Sequence, residues 1–290
     1  MIPVDEAAPE GGLITGPGQL QFGPMLLGGG TSAGWSDLVG WRDLPDAALG
    51  DSERPQAHGV YPGTVFGGAL AVTYMFLLRG TPEQKLADLA VIERYARMDG
   101  VEHLLAVDDG SGVWVRRARV IGRNIPQGKH FTHAPVAGSI QFLCSDPRAY
   151  ALDEQGGDAM LAGGSGGLAY ALTYPLDYGS PATGALTLTN AGSESTPLVA
   201  TFVGPLTNPG IVTDDWSLGF TLTLATGETL TVDTAAGTAV LNGTADRLHT
   251  ITATSDPVDV CLLAPGSTTL TLTAESGTGL VQIAFRDARM

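Results

Sequence analysis

Apolar and polar positions alternate with period two along much of the second half of the chain. In residues 227–243, Leu230 and Val232 point to one face of a strand and Thr231 and Asp233 to the other. Ala235, Ala236 and Gly237 form a small-residue turn, Val240 and Leu241 continue the hairpin, and Asn242-Gly243 is a second turn signal. Threonine alternates with leucine again in Thr221-Leu222-Thr223-Leu224 and Leu270-Thr271-Leu272-Thr273, which gives strands with one apolar and one wet face. From Ala185 onward short strands recur between turn signals and no helical period is visible, a pattern that predicts a β-sandwich.

The first half has one helical segment. Thr81 is placed to cap it, Pro82 occupies its first position and Gln84 completes a capping box. Leu86, Leu89, Ile92 and Ala96 recur at near-helical spacing as a buried stripe, Arg94 and Arg97 stand in the last turn, and Gly100 stops the helix, so its span is about 81–98. Around it, Gln19-Leu20-Gln21-Phe22 alternates, Met25-Leu26-Leu27 follows, and Leu70–Leu78 is an apolar and aromatic strand. The segment opened by Trp41-Arg42-Asp43-Leu44-Pro45 contains a turn at residues 58–63. Residues 101–125 form a hairpin about the turn Asp108-Asp109-Gly110-Ser111-Gly112, and 135–145 form a further strand.

The domains expected are 1–160, a linker region at 161–184 that contains the glycine run Gly163-Gly164-Ser165-Gly166-Gly167, and 185–290. At 290 residues the chain is long enough for two cores. The 40 glycines and 16% charged residues suit a turn-rich β protein.

Charge narrows the partners. The net charge is −15, with 12 basic against 16 acidic residues in 1–150 and 3 against 14 in 151–290. Such a surface repels phosphate backbones and argues against stable nucleic-acid binding. No apolar run is long enough for a bilayer span, and the acidic start (Asp5, Glu6, Glu10) is unlike a signal peptide, so synthesis in a reducing cytoplasm without membrane insertion is expected. Cys144 and Cys261, each within an apolar run, are read as buried thiols rather than a disulfide.

Candidate chemistry is sparse. Ser165 lies in a formal G-x-S-x-G, but no helix pattern follows to hold a nucleophile, and nothing places Asp233 and His249 beside it. His130 and His133 have metal-like spacing among helix breakers, without a third ligand. Asp108 and Asp109 read as a hairpin turn rather than a calcium loop, and Asp214-Asp215 beside Trp216 as a solvated strand end. The expectation is therefore no catalytic residue, no metal and no cofactor. The one basic cluster, Arg116, Arg117 and Arg119, is expected at a subunit interface, with Arg117 and Arg119 on one face of a strand.

In order, the motifs of the second half are Thr189-Asn190-Ala191-Gly192, Pro197, Gly204-Pro205-Leu206-Thr207-Asn208-Pro209, the 227–243 hairpin, and Leu263-Ala264-Pro265-Gly266 before a closing strand at Ala284-Phe285-Arg286-Asp287. This order resembles the C-terminal domain of the distal tail protein family of long-tailed siphophages. The first half adds Trp41-Arg42-Asp43-Leu44-Pro45, the His58-to-Gly63 turn, the helix, and Asp146-Pro147-Arg148-Ala149-Tyr150, which resembles that family's Asp-Pro-Arg-x-Tyr ending. The likeness runs from about Trp41 to Met290.

The resemblance implies a mainly β chain, with an N-terminal β-sandwich-like ring domain carrying the helix and a C-terminal galectin-like β-sandwich. It implies a homo-hexameric ring in the virion tail tip, docked on the tail-tube protein and holding the tail-tip hub protein, with the tape-measure protein and receptor-binding proteins as further neighbours. Such a protein is architectural, not an enzyme. The alternative is a carbohydrate-binding module for host surface glycans on the galectin-like domain, with Trp216 as its aromatic platform.

Overall fold

The computed structural model describes residues 1–128, 131, 134–161 and 184–290. It divides into two compact units, Met1–Leu152 together with Met290, and Asp153–Arg289. Among the described residues the chain is mainly β, with one α-helix.

The strands of the first unit are β1 (Gln19–Phe22), β2 (Met25–Gly28), β3 (Ala33–Val39), β4 (Ala47–Leu49), β5 (Ser52–Glu53), β6 (Val60–Tyr61), β7 (Val65–Gly67), β8 (Leu70–Leu78), β9 (His103–Asp108), β10 (Val113–Asn124), β11 (Val136–Cys144) and β12 (Ala149–Ala151). The main sheet runs β2-β1-β9-β10-β11-β8-β3, every pair antiparallel.

β10 joins its two halves. Val113 to Ala118 pair with β9, and Arg119 to Asn124 pair with β11 across an irregularity between Val120 and Gly122. Such a bulge bends the strand, so one sheet can face its own continuation over a shared core. β8 shows the period-two rule: Leu70, Val72, Tyr74, Phe76 and Leu78 are buried, and the residues between them are less so. These side chains pack with Leu20, Phe22, Leu27, Ile140 and Phe142.

The helix α1 (Pro82–Tyr95) starts as expected. Gln84 N donates to Thr81 Oγ1 at 3.3 Å, and Thr81 N donates to Gln84 Oε1 at 3.0 Å. Its buried face differs from the expected stripe. Leu89, Ile92 and Ala96 are buried, but Leu86 is 56% exposed and Lys85 and Asp88 are buried in its place. Lys85 Nζ donates to the carbonyls of Phe131 (2.9 Å) and Ala134 (2.6 Å), and Asp88 Oδ1 accepts from Ile2 N at 2.7 Å. The helix ends at Tyr95, so Arg97 and Met98 lie beyond it. The cation at its C-terminal carbonyls is Arg123 of β10, whose Nη1 donates to Ile92 O and Ala96 O.

The second unit contains β13 (Gln155–Met160), β14 (Ala185–Asn190), β15 (Leu198–Val203), β16 (Leu206–Thr207), β17 (Gly210–Val212), β18 (Ser217–Gly219), β19 (Thr223–Leu224), β20 (Thr229–Asp233), β21 (Thr238–Leu241), β22 (Ala245–Asp246), β23 (Gly266–Thr273), β24 (Ser276–Gly277) and β25 (Leu280–Phe285). One sheet is β13-β25-β15-β20-β21-β22, a second is β14-β23-β17-β18, and β19-β16-β24 forms a small third. Phe202, Phe220, Leu230, Val232, Leu270, Leu272, Val281 and Ile283 fill its core. The 227–243 hairpin pairs Leu230 with Leu241 and Asp233 with Thr238, and its second turn places Asn242 and Gly243 at positive φ.

One boundary differs from the expected 1–160. Residues Gln155 to Met160 pair along their whole length with β25 and so belong to the second unit. Most of the expected linker, including the glycine run with Ser165, lies outside the described residues.

Candidate assembly surface

Between β3 and β8 the chain leaves the main sheet as a narrow antiparallel ribbon. β4 pairs with β7 (Ala47 with Gly67, Leu49 with Val65), and β5 pairs with β6 (Ser52 with Tyr61). Gly50 and Gly63 face each other where the two strands come closest; a Cβ on Gly63 would lie 2.0 Å from Gly50 O. Gly50 N donates to Thr64 O at 3.1 Å, Gly63 N to Asp51 Oδ1 at 2.9 Å, and the Arg54 guanidinium lies 4.8 Å from the Tyr61 ring centroid.

Every residue of these four strands is exposed. The apolar side chains of the ribbon and its root are Leu44, Leu49, Val60, Tyr61, Val65 and Phe66, with exposures between 44% for Val60 and 74% for Leu44. A two-stranded ribbon is at best marginal alone in water, and a concentration of exposed apolar side chains marks a surface that meets a partner. Burying one such side chain fully is worth about 1.5–3 kcal/mol. The sequence pattern predicts only the turn at 58–63 here. The available signal was β-forming residues (Leu49, Val60, Tyr61, Val65, Phe66) on both sides of a Pro- and Gly-containing tip.

The three arginines of β10 do not act together. Arg116 is 2% exposed, which removes it from the expected subunit interface. Its Nη1 donates to Trp41 O at 2.6 Å, its Nε donates to Pro147 O at 3.0 Å, and its guanidinium stacks 4.4 Å from the Trp41 ring centroid. Alternation along the strand leaves Arg117 and Arg119 exposed. Arg117 lines a depression of about 460 Å³ with Asp5, Glu6, Glu10, Glu102 and His103. Glu6 is held there by Arg94 (3.0 Å) and by the Tyr95 hydroxyl, which donates at 2.8 Å.

The remaining candidates are structural where they are described. Asp108 Oδ1 accepts from Gly110 N, and Asp109 Oδ1 accepts from Ser111 N and Oγ, so both carboxylates shape the β9–β10 turn. Asp233 Oδ1 accepts from Ala235 N and Ala236 N in its own turn. Asp214 and Asp215 are exposed between β17 and β18. Trp216 is 7% exposed and its Nε1 donates to Leu262 O at 2.8 Å, so it is a core residue with no platform to offer a sugar. Burial pushes the Cys144 and Cys261 thiols up to about 11, which keeps both protonated at neutral pH. Among the described residues no group of three or more His, Cys, Asp or Glu side chains converges to hold a metal. His130, His133 and Ser165 lie outside the described residues.

No protein-family model and no curated protein sequence matches the chain. Solved structures do. The crystal structure of the SPP1 Dit protein, described as a paradigm of the hub adsorption apparatus in phages that infect Gram-positive hosts, aligns with a TM-score of 0.66 at 15% identity, over 94% of this chain and 99% of that one. Chains of the phage P2 baseplate in its activated conformation align with TM-scores of 0.45 with calcium (9% identity, 88% and 91% covered) and 0.46 with strontium (9% identity, 92% and 97% covered). The chain therefore has the fold of the SPP1 Dit protein along nearly its whole length.

Proposed function

We propose that this protein is an architectural component of a long-tailed phage tail tip, a distal tail protein that forms a hexameric ring between the tail tube and the tail-tip hub. The observation that carries the reading is the fold shared with the SPP1 Dit protein over 94% of the chain, a protein described as part of a hub adsorption apparatus. The ordered motifs from Trp41 onward point the same way. The exposed ribbon is the second support. A ring subunit needs a heterologous contact that closes on itself, and an apolar ribbon projecting from a packed sheet suits insertion against a neighbouring copy. In this reading the second unit is a galectin-like sandwich, the first unit docks on the tail-tube and hub proteins, and the receptor-binding proteins attach through the hub. The protein works in the virion, after synthesis in the bacterial cytoplasm. Function resides in interfaces rather than in a catalytic centre.

The deciding experiment is electron microscopy and light scattering of the purified protein, alone and with the tail-tube and hub proteins of the same phage. The expected result is closed rings of six copies. A monomer that persists in the presence of both partners would overturn the ring.

A further inference from the structure

The first unit carries a second concavity, a cleft of about 340 Å³ at the end of β3. Trp35, Asp37, Trp41, Arg42, Asp43 and Asp109 line it. β3 is an edge strand of the main sheet, and its register against β8 slips between Trp35 and Asp37, a bulge that re-aims the side chains on either side of it. Trp35 packs edge-on against Tyr74, with centroids 5.7 Å apart and planes at 82°, and the Tyr74 hydroxyl is tied to Ala33 O at 3.1 Å. The indole is thus held in one orientation while staying only partly buried. Gly40 then turns the chain at φ +87°, where a Cβ would lie 2.2 Å from Ala71 O.

The floor is preorganised. Trp41 is buried and donates Nε1 to Asp109 Oδ2 at 3.1 Å. The Asp109 side chain, only 8% exposed, also receives Arg42, through Nη2 to Oδ1 at 3.1 Å and Nε to Oδ2 at 3.3 Å. The Arg42 side chain is 62% exposed, and Asp37 and Asp43 are exposed at the rim. Asp37 Oδ1 accepts from Leu38 N at 2.8 Å, which fixes that carboxylate.

We propose that this cleft binds a neutral saccharide, with the C–H face of one sugar ring on Trp35, its hydroxyls donating to Asp37 and Asp43 and accepting from Arg42. Three carboxylates against one guanidinium disfavour an anionic ligand. An aromatic face bordered by carboxylate acceptors and a guanidinium donor suits a molecule that is apolar on one side and hydroxyl-rich at its edge. The volume falls at the lower end of small-molecule sites. Of the four tryptophans, Trp41 and Trp216 are buried and Trp114 does not line this cleft, so Trp35 is the partly exposed indole presented to it. The site stands independently of the ring, because it is built within one unit of one chain.

The test uses the full chain with maltotriose, lactose and N,N′-diacetylchitobiose as probes, read by saturation-transfer NMR and tryptophan fluorescence. At least one probe is expected to bind saturably, with the strongest transfer to the C–H protons of one ring. Trp35→Ala should weaken binding about tenfold, the loss expected for a stacking contact of about 1.4 kcal/mol. Trp35→Phe keeps an aromatic against Tyr74 and guards against unfolding; it and Asp43→Asn, on an exposed turn, should each weaken binding, and Trp114→Phe should leave it unchanged. Absence of saturable binding by all three probes would overturn the proposal, as would wild-type affinity in both Trp35→Phe and Asp43→Asn.

Discussion

The Arg116 guanidinium lies 4.4 Å from the Trp41 ring centroid, and its Nη1 donates to the Trp41 carbonyl oxygen at 2.6 Å. With the bond to Pro147 O, this one side chain ties the end of β3 and the turn before β12 to the middle of β10. Its chain neighbour Arg117 points the other way, into acidic surroundings.

Arg116→Ala should therefore act on folding. It leaves two carbonyls without their donor and removes the stacking partner of a buried indole, a loss of about 3 kcal/mol. Arg117→Glu should leave stability within about 0.5 kcal/mol, as exposed substitutions do, yet impair ring closure or docking if its face meets a neighbour. Urea unfolding and plaque assays on complemented phage separate the two. Equal stability losses would show that Arg117 is also a folding residue.

The double variant Val65→Asp/Phe66→Asp should abolish the oligomer and leave the subunit folded. Both residues are more than half exposed, at 59% and 66%, so the isolated chain loses little packing, while a docked ribbon would bury two carboxylates. Thermal unfolding should be unchanged and light scattering should report monomer. Normal rings from this variant would place the assembly contact elsewhere.

On α1, Leu89→Asp should cost several kcal/mol, about 3 or more, because it buries a charge on the face that carries Ile92. Leu86→Asp should cost under about 0.5 kcal/mol, since Leu86 is exposed. Chemical denaturation of the two variants checks the helix face directly.

Asp146 gives the chain an acid-sensitive lock. Burial acts to raise its carboxyl, but hydrogen bonds from the Arg148 side chain and backbone and from the Tyr150 hydroxyl hold it below the ordinary value of 3.8. A carboxyl lowered by folding stabilises the native state above its unfolded value and loses that contribution as pH falls through the lower native one. Asp146→Asn should thus be less stable than the wild type at pH 7, and the gap should narrow below the ordinary value. A gap of constant size across acid pH would mean that the carboxylate charge contributes nothing.

A fragment of residues 153–290 should fold alone as an all-β domain, whereas one of 185–290 should be less stable and prone to aggregate. The shorter fragment lacks β13, whose six residues pair with β25, and leaves that strand as an open edge. Circular dichroism and gel filtration of both fragments test this.

The sequence by itself determined the elements whose signals are local. The capping box at Thr81 and Gln84, the inward alternation of Leu70 to Leu78, the hairpin turns at Asp108-Asp109-Gly110 and Asn242-Gly243, and the recurring short strands from Ala185 onward all follow from side-chain chemistry within a few residues. Tertiary structure alone decided the rest. Alternation puts Arg116 and Arg117 on opposite faces of β10, but which face is buried is decided by the arrival of Trp41 and Pro147 from distant segments. Lys85 and Asp88 replace Leu86 on the inner face of α1 because Phe131 O, Ala134 O and Ile2 N come there to meet them. β13 joins the second unit because its partner β25 lies more than a hundred residues onward. The strands of the ribbon at β4 to β7 have a local signal, but its exposure does not, because burial is a property of what packs against a residue, and those partners are supplied by the whole fold.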